Sequence, residues 1–220
     1  MAVYQLQDVV RDVRVALDEN RESQGFLIEG DMETYSLDSM VRGYFPSSAR
    51  AIEVECPIRY LSGGVVMDGD PEGGIHWVGD RDTCGWFELP EDFLRLISFK
   101  MDDWSYSLHH AVEPGGLTYR IQGSSVHGVR GHSERPVCAV VQGSTGLRME
   151  FWSCDTRDAS IERLVYAPVP AWDKQDGIIV CGDCYMPAVY ACGSVVSDAL
   201  GHRELSQHLQ ALSEGMLADK

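Results

Sequence analysis

Apolar positions in the first 60 residues recur with helical spacing. Val3, Leu6, Val10, Val13 and Leu17 fall on one stripe, with Gln5, Asp8, Arg11, Asp12 and Asp18 elsewhere, so an amphipathic helix is predicted over 3–19. The polar stretch 18–25 then reads as a loop, with Phe26-Leu27-Ile28 as its one buried anchor before Gly30-Asp31. Ser36 precedes Leu37, Met40, Val41 and Tyr44, and Asp38 sits where a first-turn carboxylate suits the helix dipole, so a second helix is placed at the start of 37–60. Pro46 interrupts it. Because Ala49, Ile52 and Cys56 keep the spacing up to Pro57, the segment is either a kinked helix or two abutting ones. Both helices suit a core pair or an oligomer interface equally.

From residue 62 the pattern changes to short β-rich runs between Gly-rich turns. Strands are predicted at 75–78, 85–89, 93–99, 105–108, 118–121, 136–141, 147–152 and 161–166, with Gly143-Ser144-Thr145-Gly146 as a hairpin turn. Helical periodicity returns from Pro187, first rich in small residues (Ala188, Ala191, Gly193, Ser194), which favours close helix packing. After Gly201 it continues with Leu205, Leu209, Leu212, Met216 and Leu217. The fold class is therefore α+β: N- and C-terminal helices form a bundle, 1–61 with 186–220, and an antiparallel β module, sandwich or barrel, is inserted at 62–185.

Charge narrows the function. The chain has 220 residues, 18 Lys and Arg against 34 Asp and Glu, and a formal net charge of -16, which argues against a surface that grips nucleic-acid phosphates. Residues 61–115 hold 11 acids and 3 bases, whereas 116–170 hold 5 and 6. Such a one-sided surface serves solubility, or passes a polyanion without binding it. No run of about 18 apolar residues and no basic-then-apolar leader are visible, so neither a membrane span nor a secretory signal is expected. Seven irregularly spaced cysteines read as reduced thiols, not as a disulfide framework.

Few motifs carry chemistry. Cys181-Gly182-Asp183-Cys184 has the spacing of a zinc knuckle or a redox pair, with Cys192, His202 and His208 nearby. It lacks a second Cys-x-x-Cys and a parallel α/β setting, so packing thiols are favoured. His109-His110 and the run 124–132, with Ser124, Ser125, His127 and His132, offer the residue types of a hydrolase without a nucleophile elbow, and read as loop. The pairs Glu91-Asp92 and Asp102-Asp103 read as solvated loop charges, and no nucleotide-binding loop is present. Neither catalytic residues nor a cofactor or metal is assigned.

The order of parts resembles the head-to-tail connector (adaptor) proteins of tailed bacteriophages, above all ring proteins beneath the portal of crAss-like and related Bacteroidales phages. The resemblance rests on Asp12–Asn20, on Leu89-Pro90-Glu91-Asp92-Phe93-Leu94-Arg95-Leu96, on Gly128-Val129-Arg130-Gly131 and on Leu147–Cys154. The second of these also looks like a strand-entry element of tail tubular proteins of short-tailed phages. Pro46 departs from the family's pattern. The resemblance implies a virion protein without turnover chemistry, assembled in the bacterial host cytoplasm. Its homo-oligomeric ring, of twelve subunits, would contact the portal protein and other tail or collar rings, while DNA passes without sequence-specific binding and no membrane is involved. Interface candidates are Leu6, Val10, Val13 and Leu17 on the first helix and Leu205, Leu209, Leu212 and Met216 on the last, with 205–220 docking on the portal. A competing reading is a carbohydrate-binding or glycan-acting β module, drawn from Trp77, Trp86, Trp104, Trp152 and Trp172. A zinc-dependent binding protein comes third.

Overall fold

The computed structural model describes residues 1–19, 31–67, 71, 73–78, 84–124 and 126–218, apart from the side chains of 18, 19, 31–36 and 127. The apolar patch 26–28, Ser125, the Ser36 cap and the last two residues lie outside the described part, as do five of the 11 acids of 61–115. The fold is α+β, with terminal helices and antiparallel sheets. Two compact units emerge: Met1–Gly63 with Val169–Lys220, and Gly64–Pro168.

The first unit contains β1 (Ala2–Gln5), α1 (Leu6–Glu19), α2 (Asp31–Glu55), a 3-10 turn (Ile58–Tyr60), β9 (Gly177–Val180), α4 (Gly182–Ala199) and α5 (Arg203–Ala218). Helix α4 packs against α1, α2 and α5. It buries Ala188, Val189, Cys192 and Val196 among Val9, Val13 and Leu17 of α1, Val41, Phe45 and Ala49 of α2, and Leu209 of α5. Its small residues explain the close packing: a Cβ on Gly193 would lie 3.3 Å from Leu209 Cδ1. Between α4 and α5 the chain turns at Gly201, whose φ of 83° favours glycine. There the His202 N–H donates to the Ser197 carbonyl at 2.8 Å.

Two elements of this unit differ from the sequence prediction. Residues 3–5 are strand, not helix: Val3 faces Ile179 and Tyr4 faces Ile178 in antiparallel register. The helical stripe begins only at Leu6, because a strand nearly 180 residues away pairs with residues 2–5, where Val3 and Tyr4 favour extended backbone. The second helix starts earlier and runs unbroken through Pro46. Asp38 is thus not a first-turn residue; it pairs with Arg14 of α1 instead.

In the second unit, one sheet has the order β2 (Val65–Val66), β8 (Ile161–Pro168), β5 (Phe93–Met101). The other has β3 (His76–Trp77), β4 (Gly85–Glu88), β7 (Leu147–Phe151), β6 (Cys138–Gln142). Inward side chains from both sheets make one core, in which the ring of Phe99 on β5 lies 5.6 Å from that of Phe87 on β4 and 6.3 Å from that of Phe151 on β7. The hairpin predicted at 143–146 is present, closed by Gly143 N–H donating to the Gly146 carbonyl at 2.7 Å. Of the run 105–108 only Leu108 forms a bridge, to Phe99. Residues 118–121 are helical, within α3 (Leu117–Ile121). There Gly115 turns the backbone (φ 85°) and Gly116 caps a single turn, which overrides the strand preference of Thr118 and Tyr119. The module boundary anticipated at 185 falls at Pro168, since β9 belongs with β1 in the first unit.

Candidate functional site

The residues assigned to an interface divide by exposure. Val13, Leu17 and Leu209 are 0–1% exposed and belong to the first unit's own core, so they are not available to a neighbour. This corrects their assignment: one stripe serves the intramolecular contact with α4. Leu6, Val10, Leu205 and Leu212 are half-buried and Met216 is exposed. The apolar side chains this unit leaves open are others, among them Val15, Tyr44, Val54 and Val195. Val3 (60% exposed) and its cross-strand partner Ile179 (39%) add an apolar pair on the two-stranded ribbon β1–β9.

The Cys-x-x-Cys motif lies at the first turn of the 18-residue α4, directly after β9. Cys181 is the N-cap residue; its backbone N–H donates to Glu53 Oε1 of α2 at 2.8 Å. The Cys181 thiol meets the carbonyls of Tyr60 and Ser62. Cys184 Sγ lies 3.5 Å from Cys56 Sγ, and the Cys56 thiol in turn donates to the Glu53 carbonyl at 3.7 Å. Glu53, Cys56, Cys181 and Cys184 are all at most 1% exposed. A hydrogen bond from Cys184, helped by helix-start N–H groups of Asp183 and Cys184, outweighs burial and draws the Cys181 thiol down to about 6. Cys184 moves the other way, raised by its hydrogen bonds to Cys181 and Cys56 and by burial. Burial lifts the Glu53 carboxyl to about 7 against the pull of the Cys181 N–H.

Cys192, His202 and His208 are not the partners of this motif; Cys56 and Glu53, 128 positions from their Cys184 and Cys181 contacts, are. A sequence signal for Glu53 existed. It continues the i, i+4 stripe Val41, Phe45, Ala49, where a carboxylate is out of place unless something polar faces it. Among the described residues no group of three or more His, Cys, Asp or Glu is arranged to hold a metal ion.

The other candidates resolve into structural roles. Asp92 accepts from the Tyr166 hydroxyl at 2.9 Å. Asp102 accepts from the Ser160 N–H and hydroxyl, and Asp103 accepts from the Asp155 N–H. Glu91, Asp92 and Asp102 are exposed, as the solvated-charge reading expects, but Asp92, Asp102 and Asp103 also tie segments of the module together through these bonds. His109 and His110 are exposed in a bend, and His109 Nδ1 contacts the Ile97 carbonyl at 2.9 Å. In the loop 122–137, Gln122 accepts from the Gly131 N–H and Ser153 from the Val137 N–H, which spends both side chains on shape.

The tryptophans are engaged as well. Trp104 is 3% exposed and meets Phe99 edge-on. Trp86 has His76 stacked at 4.1 Å and the Arg148 guanidinium over its ring at 5.2 Å. Trp86, Tyr119, Arg148, Glu150 and Trp152 line an open cleft of about 590 Å³. Its Trp152 ring contacts Tyr119, whose hydroxyl donates to Glu150. Trp77 meets Phe151 edge-on, and Trp77, Trp86 and Trp152 are half-buried.

No described helix is long and apolar enough to cross a membrane. No protein-family model matches the sequence, and no curated protein matches it significantly.

Proposed function

We propose that this protein is a structural ring subunit of the head-to-tail connector of a tailed bacteriophage, seated below the portal, holding the tail and lining the DNA channel. The observation that carries the reading is architectural. Both chain ends build one helical unit, and a β module with a complete core of its own is inserted between them at 64–168. That is the order of parts in the connector proteins the sequence resembles. A helical unit repeated side by side closes a ring, and the module is left to meet tail components. The apolar ribbon face at Val3 and Ile179 suits contact with a second copy, and the net charge of -16 suits a channel that must release DNA phosphates.

The test is negative-stain microscopy of the purified chain, alone and with the portal protein of its own phage. Rings with a central hole are expected. Val3→Lys with Ile179→Asp, an opposite-charge pair across the two strands, should abolish them while leaving the circular dichroism melt of the subunit unchanged. A chain that stays monomeric with portal at every protein and salt concentration overturns the reading.

A further inference from the structure

On the outer face of the four-stranded sheet lies the open cleft lined by Trp86, Tyr119, Arg120, Arg148, Glu150 and Trp152, which ring formation does not call on. We infer that this cleft is a saccharide-binding site, which takes pyranose units of a neutral glycan by hydrogen bonds to Arg148 and Glu150 and by contact with the Trp152 ring. The pleat of β4 and β7 sets its floor. Phe87, Met149 and Phe151 are buried in the core, so Trp86, Arg148 and Glu150, which alternate with them, face outward, with Trp86 directly opposite Glu150 in the register. Helix α3 supplies a wall. The Tyr119 hydroxyl donates to Glu150 Oε2 at 2.8 Å, and the buried Gln122 donates to the Thr118 carbonyl and accepts from the Gly131 N–H, which fixes the turn carrying Tyr119 and Arg120. At about 590 Å³ the cleft falls within the roughly 300–1,000 Å³ of small-ligand sites, and its whole lining belongs to the β module.

Charge selects the ligand class. The Arg148 guanidinium donates to Glu150 Oε1, and the two side chains are 34% and 12% exposed, so the pair is partly withdrawn from water and neutral as a unit. An anion entering the cleft would meet Glu150 and a cation would meet Arg148, each losing hydration without a net opposite charge to receive it. Arg120 stands at the exposed rim, where solvent screens it, and the net charge of -16 adds long-range repulsion of acidic polysaccharides. A pair of neighbouring hydroxyls differs: one oxygen accepts from a guanidinium N–H while the other donates to the carboxylate, so a neutral polyol uses both halves of the ion pair. Capacity for this remains on both sides. Each Glu150 oxygen accepts one of the two bonds named and has a second lone pair, and Arg148 Nε is buried with no hydrogen-bond partner among the described residues. The rings divide the remaining work. Trp86 is engaged by the stacked His76 and by Arg148 and serves as a rigid floor. Trp152 meets Tyr119 at 89° with centroids 5.2 Å apart, an edge-on contact that engages at most one of its faces, so this half-buried ring is the one left to pack against the C–H face of a pyranose.

The experiment titrates the nitrogen-15-labelled full-length chain at low salt and follows the indole N–H resonances of its five tryptophans. Cellotriose, maltotriose, mannotriose, galactotriose and N-acetylchitotriose are the neutral probes; trigalacturonate and the glucosamine trisaccharide chitotriose are the charged ones. At least one neutral trisaccharide should bind with a Kd of about 1 mM or tighter, moving the signals of Trp86 and Trp152. Those of Trp104, in the module's core, and Trp172, in the helical unit, should stay. Trp152→Ala should weaken binding about tenfold. Glu150→Gln removes the negative half of the pair and leaves Arg148 uncompensated, so the affinity for trigalacturonate relative to the neutral sugar should rise about tenfold. A purely structural role for Glu150 would weaken every probe alike. Unmoved Trp86 and Trp152 signals with all neutral trisaccharides at about 10 mM, ten times that Kd, overturn the inference. So does tighter binding of either charged probe by the parent chain. The wild-type titration decides the matter even if a variant fails to fold. Because the cleft lies within one subunit, its outcome is independent of ring formation.

Discussion

Glu53 and Cys181 form a buried pair whose ionisations pull stability in opposite directions. Glu53 holds its proton up to about 7 in the folded chain, against 4.5 ordinarily. Between those values the folded state binds more protons than the unfolded one, so stability is full below about 4.5 and falls as pH rises to 7. Cys181 is shifted from 9.0 down to about 6, so here the unfolded state binds more protons and stability climbs between 6 and 9. The two slopes overlap in a shallow minimum between pH 6 and 7. Neither limb is worth more than about 4 kcal/mol, since a tenfold change in proton affinity corresponds to about 1.4 kcal/mol. Glu53→Gln keeps an oxygen for the Cys181 N–H but has no proton to lose, so the falling limb should vanish and the variant should match or exceed the parent at pH 8. Denaturant unfolding at pH 5, 7 and 9 reads this directly; parallel wild-type and variant profiles refute it.

At the scale of elements, what the sequence made legible was whatever local periodicity decides. The stripe from Leu6 to Leu17, the hairpin at 143–146 and the α4–α5 turn at Gly201 all have local causes and stand where the pattern put them. Strand β1 and the thiol partners Glu53 and Cys56 depend on contacts with residues more than a hundred positions away, which periodicity does not encode. Pro46 lies between these cases. A proline inside a helix removes the N–H that would bond the carbonyl four residues back, here that of Arg42. The Trp172 indole donates to that same Arg42 carbonyl at 2.8 Å, which explains how α2 continues unbroken where the sequence announced an interruption. Trp172→Phe keeps the ring packed near Phe45 but removes the donor, and should cost about 1–2 kcal/mol. Pro46→Ala restores the helical bond. In that background the Trp172→Phe cost should shrink by about half or more, as a coupling term in a double-mutant cycle of thermal or denaturant unfolding. Equal costs in both backgrounds would mean that the indole does not substitute for the missing N–H.

On the scale of the whole molecule, autonomy of parts and net charge set the behaviour. Every member of the β core, from Phe87 to Tyr166, belongs to 64–168, so that fragment expressed alone should fold and melt cooperatively, with a dispersed amide spectrum as the readout. Assembly of the full chain is governed by charge. Copies carrying -16 each repel one another when brought side by side, and the acids are unevenly spread, 11 against 3 bases over 61–115. Repulsion between exposed charges decays over about 10 Å at 0.1 M salt and over about 3 Å at 1 M, whereas contact of apolar pairs such as Val3 and Ile179 is insensitive to screening or strengthened by it. Sedimentation velocity at fixed protein concentration should therefore show larger species as sodium chloride rises from 20 mM to 500 mM. Millimolar magnesium should act more strongly than its ionic strength alone accounts for. Neutralising acids should imitate salt: replacing the exposed Glu55 and Asp198 by their amides should move the onset of assembly to lower salt. An interface built instead on intersubunit ion pairs would respond in the reverse sense, dissociating as salt rises, and that result would remove self-repulsion as the barrier to ring closure.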